Sequence, residues 1–257
     1  MRRQGRSRAL RLFIGLASII GLVLGCVILF GPANDDNHAE FGRGPGGAPY
    51  GPVVMEKTQR PSALFIGDDF PAGYGGIGRN AYPQIVCYSI GLNCGVDAQP
   101  GTGFVNDGRE YSSSSFQMID RLPTDQKLYD PDFVIVDAGR NDRQAEPTVL
   151  GEAVTRYLQQ VKRMWPGAKI IVIAPYYLAT APDPDYGARI SLLSPIVAAQ
   201  DGMLIDPVAE GWYEGVDESA MLQPDGFHPN QAGQEFLAKK LRESLQKRGI
   251  GQSGATS

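Results

Sequence analysis

Side chains able to do chemistry are concentrated in a few short blocks of this 257-residue chain. In the first block the apolar run Ala63-Leu64-Phe65-Ile66 ends in Gly67-Asp68-Asp69 and then in the turn Phe70-Pro71-Ala72-Gly73-Tyr74-Gly75-Gly76. In the last, Asp225-Gly226-Phe227-His228-Pro229-Asn230 carries one of only two histidines; the other, His38, lies in a polar, glycine-rich stretch. Between them stand Gln99-Pro100-Gly101-Thr102-Gly103-Phe104 and Gly139-Arg140-Asn141-Asp142. Adjacent acids, a histidine, an amide and glycine backbone are the parts of an acid-base or acyl-transfer site. Each also has a plainer reading: Asn141 can cap a following helix, Asp225 can form an Asx turn, and His228 can fill a surface notch before Pro229. Asp68 is expected to bind loop N–H groups beneath the site, and Ser112 to Ser115 read as a polar turn.

For these blocks to meet, the elements between them must deliver them to one edge. Strands are expected over 63–66, 93–98, 133–138, 169–174 and 202–205, with helices over 79–91, 149–165 and 229–246. Alternation of the two gives an α/β fold with a central five-stranded parallel sheet covered on both faces. Loops 67–76, 99–108, 139–144 and 175–190 then share one rim, where open α/β sheets bind ligands, and 225–228 arrives just before the last helix. In the aromatic, acidic loop 175–190, Tyr176, Tyr177 and Tyr186, together with Trp212 and Tyr213, offer flat faces to a sugar or an acyl chain. The plainer reading of that segment is a proline-stiffened surface loop. Arg140 offers a charge to Asp69 or to an anionic substrate group. Neither a Gly-x-Gly-x-x-Gly pattern nor a phosphate-binding loop with lysine occurs, so no nucleotide cofactor is expected, and no cysteine or histidine set suggests a metal.

The first eleven residues hold five arginines and no acid, and the uncharged run from Leu12 to Phe30 spans about 28 Å as a helix, near the thickness of a hydrocarbon core. The expected layout is a basic segment 1–11, a transmembrane or signal-anchor segment 12–30, a linker 31–60, a folded domain 61–248 and a disordered tail 249–257. Arginines before the run and Asp35, Asp36 and Glu40 after it predict a single-pass membrane protein with its domain outside the cytoplasm; a cleaved signal peptide is the alternative. In that compartment Cys87 and Cys94 are candidates for a disulfide, two buried thiols being the plainer reading. Without the five leading arginines the chain carries 19 basic groups against 28 acidic ones, which disfavours nucleic acid as a partner.

In order, Gly67-Asp68-Asp69, Gly101-Thr102-Gly103, Gly139-Arg140-Asn141-Asp142 and Asp225-Gly226-Phe227-His228 resemble the four blocks of the SGNH, or GDSL-type, hydrolase family. Those blocks are Gly-Asp-Ser, a Gly-containing loop, Gly-x-Asn-Asp and Asp-x-x-His, and the resemblance runs from Pro61 to Leu245. It implies a three-layer α/β/α sandwich and esterase or acyltransferase chemistry without a cofactor. It also implies His228 as base, Asp225 as its orienting acid, and Asn141 with Gly101 as oxyanion donors. The pattern departs at one position, because Asp69 stands where the nucleophilic serine is expected.

Three roles for Asp69 stay open: a nucleophile forming an acyl-aspartyl anhydride, an acid/base partner of His228, or one half of a dead ion pair in a membrane-tethered carbohydrate- or lipid-binding protein. The implied partners are an activated acyl donor, such as acyl-CoA or another ester or thioester, and a hydroxylated small-molecule or glycan acceptor. The basic start, the apolar segment and the block Gly67-Asp68-Asp69-Phe70-Pro71-Ala72-Gly73 are also similar to actinobacterial acyltransferases of the mycobacterial octanoyltransferase type, which acylate a glucosylglycerate. That likeness implies a cytoplasmic placement, the opposite of the one read from the arginines.

Overall fold

A computed structural model describes residues 60–75, 80–176 and 184–251. Strands β1 (Ser62–Gly67), β2 (Asn93–Ala98), β3 (Phe133–Asp137), β4 (Lys169–Ile173) and β5 (Met203–Ile205) form one all-parallel sheet in the order β2-β1-β3-β4-β5. The order reverses between β1 and β3, so the loops leaving these neighbours diverge and open a crevice at their carboxyl ends. Gly67 pairs with Asp137, which ends both strands at the same level.

Among the described residues six α-helices cover the sheet: α1 (Asp69–Ala72), α2 (Tyr82–Ile90), α3 (Met118–Leu128), α4 (Pro147–Met164), α5 (Tyr186–Ala198) and α6 (Gln231–Lys247). Because strand side chains alternate, Leu64, Ile66, Val134, Val136, Ile170 and Val172 pack with α3, α4 and α5, whereas Phe65, Ile135, Ile171 and Ile173 pack with α1, α2 and α6. The result is the three-layer sandwich with a five-stranded parallel sheet that the strand pattern and the block order indicated. Helix α4 starts on Pro147, whose missing N–H costs nothing in a first turn, and it buries Leu150, Val154, Tyr157, Leu158 and Val161 along one stripe. Truncating the fully buried Leu158 to alanine would cost about 2–5 kcal/mol. Asn230 caps α6 by accepting the Gly233 N–H at 3.1 Å, which fixes the helix start just after His228. Cys87 at the end of α2 and Cys94 in β2 are joined as a disulfide, with their Cα atoms 5.7 Å apart.

Three expectations change. Helix α5 occupies part of the segment read as a loop; it contains Gly187 and Pro195, which obscure its signal in sequence. Ile250, placed in the tail, is 3% exposed and packs into the core, while residues 252–257 lie outside the described residues. The membrane anchor, and the single-pass extracytoplasmic placement drawn from it, are corrected as well. Among the described residues no helix is long and apolar enough to cross a membrane. The longest, α4, carries Glu152, Arg156, Lys162 and Arg163 and serves to cover the sheet. The segment 12–30 itself lies outside the described residues, as does most of the linker 31–60.

Candidate active site

Strand β1 delivers two adjacent acids whose surroundings differ sharply. A side chain at Gly67 would meet the Asp137 carbonyl oxygen at 2.2 Å, so the strand leaves the sheet through a residue with no Cβ. Asp68 then turns inward, fully buried, and its Oδ1 accepts the Phe70 N–H at 3.3 Å to cap α1. Asp69, the first residue of α1, faces the crevice.

There its carboxylate is held by groups from three other blocks. The Gly101 N–H lies 3.2 Å from both Oδ1 and Oδ2, and Asn141 Nδ2 donates to Oδ2 at 2.7 Å. Asn141 Nδ2 also donates to the Thr102 carbonyl at 2.9 Å, which ties the second and third blocks together. His228 Nε2 stands 3.4 Å from Asp69 Oδ1, and its Nδ1 lies 2.8 Å from Asp225 Oδ2. Asp225 Oδ1 in turn accepts the N–H groups of Phe227 and His228, both at 2.9 Å.

The charges follow from these contacts. Burial pushes the Asp69 carboxyl up, but the His228 imidazole beside it and the hydrogen bonds from Asn141 and Gly101 outweigh it and hold the group below its ordinary value. Burial pulls His228 down, and Asp69 and Asp225 outweigh it, raising the imidazole above its ordinary value. Burial also opposes ionisation of Asp225, yet the His228 ring and the two N–H groups draw it down to about 2. The imidazole thus stands between two carboxylates, 3.4 Å from Asp69 and 2.8 Å from Asp225, which favour its protonated form.

Beneath it, Arg140 binds Asp68 Oδ1 through Nη1 at 3.1 Å and Asp137 Oδ1 through Nη2 at 2.7 Å, and its Nε donates to the Tyr176 carbonyl at 3.0 Å. Burial drives Asp68 up to about 7 against the pull of Arg140. Asp142 organises the second block, its carboxylate accepting the N–H groups of Phe104, Val105 and Asn106 at 2.7, 3.0 and 2.9 Å. On the other side of β1, Arg121 donates to the Gly67 carbonyl at 3.2 Å and pairs with Asp97 at 3.2 Å.

The structure thus gathers Asp69, Gly101, Asn141, Asp225 and His228 at one point. It does not bring Arg140 to Asp69: the arginine is buried and its guanidinium is engaged by Asp68 and Asp137. The aromatic side chains expected to line the site are also corrected in place. Tyr176 stacks on Tyr213 at 3.9 Å, the Tyr186 hydroxyl donates to Asp206 at 2.6 Å, and Trp212 is buried with its Nε1 on Glu210. These rings pack the base of the rim, because large apolar faces are more stable buried than exposed. Tyr177 lies outside the described residues. The rings that do flank the site are Tyr74 and Tyr111, which sequence reasoning passed over although Tyr74 directly follows Gly73. Among the described residues no group of His, Cys, Asp and Glu side chains is placed to hold a metal ion.

Residues 65–236 match the GDSL-like lipase/acylhydrolase family. A GDSL lipase of Mycobacterium tuberculosis is 27% identical over 203 residues, covering 75% of this chain and 84% of that protein. Thioesterase 1/protease 1/lysophospholipase L1 of Escherichia coli is 28% identical over 190 residues, covering 71% and 82%. Two solved structures share the fold. A family two carbohydrate esterase from Clostridium thermocellum, an active-site mutant in complex with a saccharide, superposes with a TM-score of 0.60 at 19% identity, covering 73% of this chain and 64% of that one. TesA does so with a TM-score of 0.56 at 20% identity, covering 72% and 98%. A domain matched from the middle of β1 to the early turns of α6 belongs to the GDSL-like lipase/acylhydrolase family.

Proposed function

We propose that this protein is an acyltransferase or esterase in which Asp69 holds the place of the family's nucleophilic serine. It moves an acyl group from an ester or thioester donor, acyl-CoA among them, to a hydroxyl acceptor. One observation carries the reading: a single ionised carboxylate touches the imidazole and both N–H donors at once.

In the first step an Asp69 oxygen attacks the acyl carbon and a mixed anhydride forms. His228, entering the step as the imidazolium, gives its proton to the departing alcohol or thiol. Acylation removes the charge of Asp69, so neutral imidazole becomes the stable form and can act as base. The Gly101 and Asn141 donors, no longer engaged by an anion, become available to an oxyanion. In the second step His228 takes the proton of the acceptor hydroxyl, the oxygen attacks the substrate's acyl carbon, and the Asp69 carboxylate departs. Asp225 keeps the ring oriented and stabilises the imidazolium throughout. Transfer of octanoate to a glucosylglycerate is one instance, suggested by the likeness of the first block to actinobacterial acyltransferases.

A second reading draws on the same contact. With both N–H donors engaged by Asp69 and the His228 ring 3.4 Å from it, the site is electrostatically closed, as a binding protein on an inactive scaffold would be. Turnover of a panel of p-nitrophenyl esters and acyl-CoA thioesters, with and without polyol acceptors, separates the two. Transfer by the native chain, with new hydrolysis in Asp69→Ser, supports the enzyme; no reaction by either form on any ester supports binding.

A further inference from the structure

Two exposed aromatic side chains stand directly over the reacting groups. Tyr74 is 40% exposed and its ring centroid lies 4.6 Å from that of His228. Tyr111 is 55% exposed, and its ring rests on the bare Cα of Gly101, where an added Cβ would meet it at 2.1 Å. The two rings meet edge to face, 6.3 Å apart at 88°, and form a corner. We propose that this corner binds a saccharide ring, so that the hydroxyl acceptor of the site is a sugar. The proposal rests on the acyl-transfer reading above and names its acceptor.

Both rings are held from below. The Tyr74 N–H donates to the Asp69 carbonyl at 3.1 Å, and its own carbonyl accepts Gln223 Nε2 at 2.6 Å. Gln223 also donates its N–H to the His228 carbonyl at 2.8 Å, so one loop places the ring and the catalytic histidine together. The Tyr111 N–H donates to the Gly108 carbonyl at 2.9 Å. Burial first, and then the negative charge of Asp69, raise the Tyr111 hydroxyl above its ordinary value.

The open shape of the corner favours a sugar over an acyl chain. A methylene chain laid on exposed rings leaves half of its surface in water and gains little from them. A pyranose is apolar on its face and polar on its edge, so the face can lie on a ring while the hydroxyls stay hydrated. Polar groups flank Tyr111 in the chain for those hydroxyls: the exposed Arg109 paired with the half-buried Asp107, and the exposed Ser112 with Ser114. A ring seated on Tyr74 brings a hydroxyl to the His228 side of Asp69, where a base is needed.

The test is saturation-transfer NMR on the full-length Asp69→Asn protein, which needs no turnover, with methyl glucoside, cellobiose and sodium octanoate as probes. The expected result is saturation transfer to sugar ring protons, with affinity reduced about tenfold or more by Tyr74→Ala and by Tyr111→Ala. Tyr111→Phe should retain binding, and so should Tyr88→Ala, whose ring is 93% exposed on α2. Absence of sugar binding, equal binding in the alanine variants, or loss of octanoate binding instead would each overturn the proposal. Failure of the acyl-transfer reading would show separately, as native protein that turns over no ester, and would leave sugar binding measurable.

Discussion

Replacing Arg140 with methionine keeps most of the side-chain stem and removes the guanidinium that joins Asp68 to Asp137. Both carboxylates are buried, with side-chain exposures of 0% and 4%, and the arginine's is 3%. Removing one partner of such a pair leaves an uncompensated charge and costs about 3–5 kcal/mol. For a domain of this size that lowers the melting temperature by about 6–20 °C. The pH dependence has a definite sign. Asp68 already titrates at about 7 in the folded chain against 3.8 ordinarily. Between those values the native state keeps a proton that the unfolded state has released, so this group makes stability fall as pH rises. Arg140 is the main group opposing that shift, so its removal drives Asp68 higher and extends the fall to more alkaline pH. Urea unfolding should therefore show a larger deficit at pH 8 than at pH 5, where protonation relieves the buried charge. Wild-type stability at both pH values, with weakened binding of an acyl donor, would refute the structural assignment and make Arg140 a substrate contact.

Other consequences are read at the site itself. Asn141→Ala should lower kcat by about 10²–10³ while leaving the fold intact, as loss of an oxyanion donor does; an unchanged kcat would remove Asn141 from the chemistry. In Asp69→Asn the His228 imidazole, followed by NMR, should titrate at lower pH than in the native chain, because its first electrostatic partner is gone. The native pair contributes fully below the ordinary histidine value of 6.5 and loses that contribution as pH rises through the raised His228 value. It is also present above the ordinary aspartate value of 3.8 and lost as pH falls through the lowered Asp69 value. Asp69→Asn should flatten the stability profile across that window. Replacing Cys87 and Cys94 together with serine should destabilise the domain by about 2–3 kcal/mol, measured by urea unfolding, as expected for a short closed loop.

Much of the site was legible because its residues sit in short blocks at strand ends. Apolar runs marked the strands, and the turns after β1 and β3 carried Asp69 and Asn141 to a common edge. The division of labour between Asp68 and Asp69 was only partly legible. Adjacent acids look alike in sequence, and the turn into α1 is what sends one inward and the other into the crevice. Arg140, next to Asn141, was open to Asp69 or to an anionic substrate group, and long-range packing decided for Asp68 and Asp137 instead. The Tyr176, Tyr186 and Trp212 rings follow the burial preference of large aromatics, which no local pattern distinguishes from a binding surface. Tyr74 and Tyr111 are 37 positions apart and meet only because Gly101 has no side chain. Arg121, which steadies Gly67 and Asp97 from behind β1, is a contact of the same long-range kind. Helix α5 was obscured by Gly187 and Pro195, whose unfavourable propensities are overridden by Leu193 and Val197 packing on the sheet.

The most direct measurement is intact-protein mass spectrometry of the native chain, acid-quenched at short times after mixing with short- and medium-chain acyl-CoA and p-nitrophenyl esters. The expected result is a gain of one acyl group, mapped by peptide analysis to Asp69 and absent in Asp69→Asn. Donor consumption at the native rate by Asp69→Asn, or an adduct on Ser112 to Ser115 instead, would contradict a nucleophilic carboxylate at the end of β1.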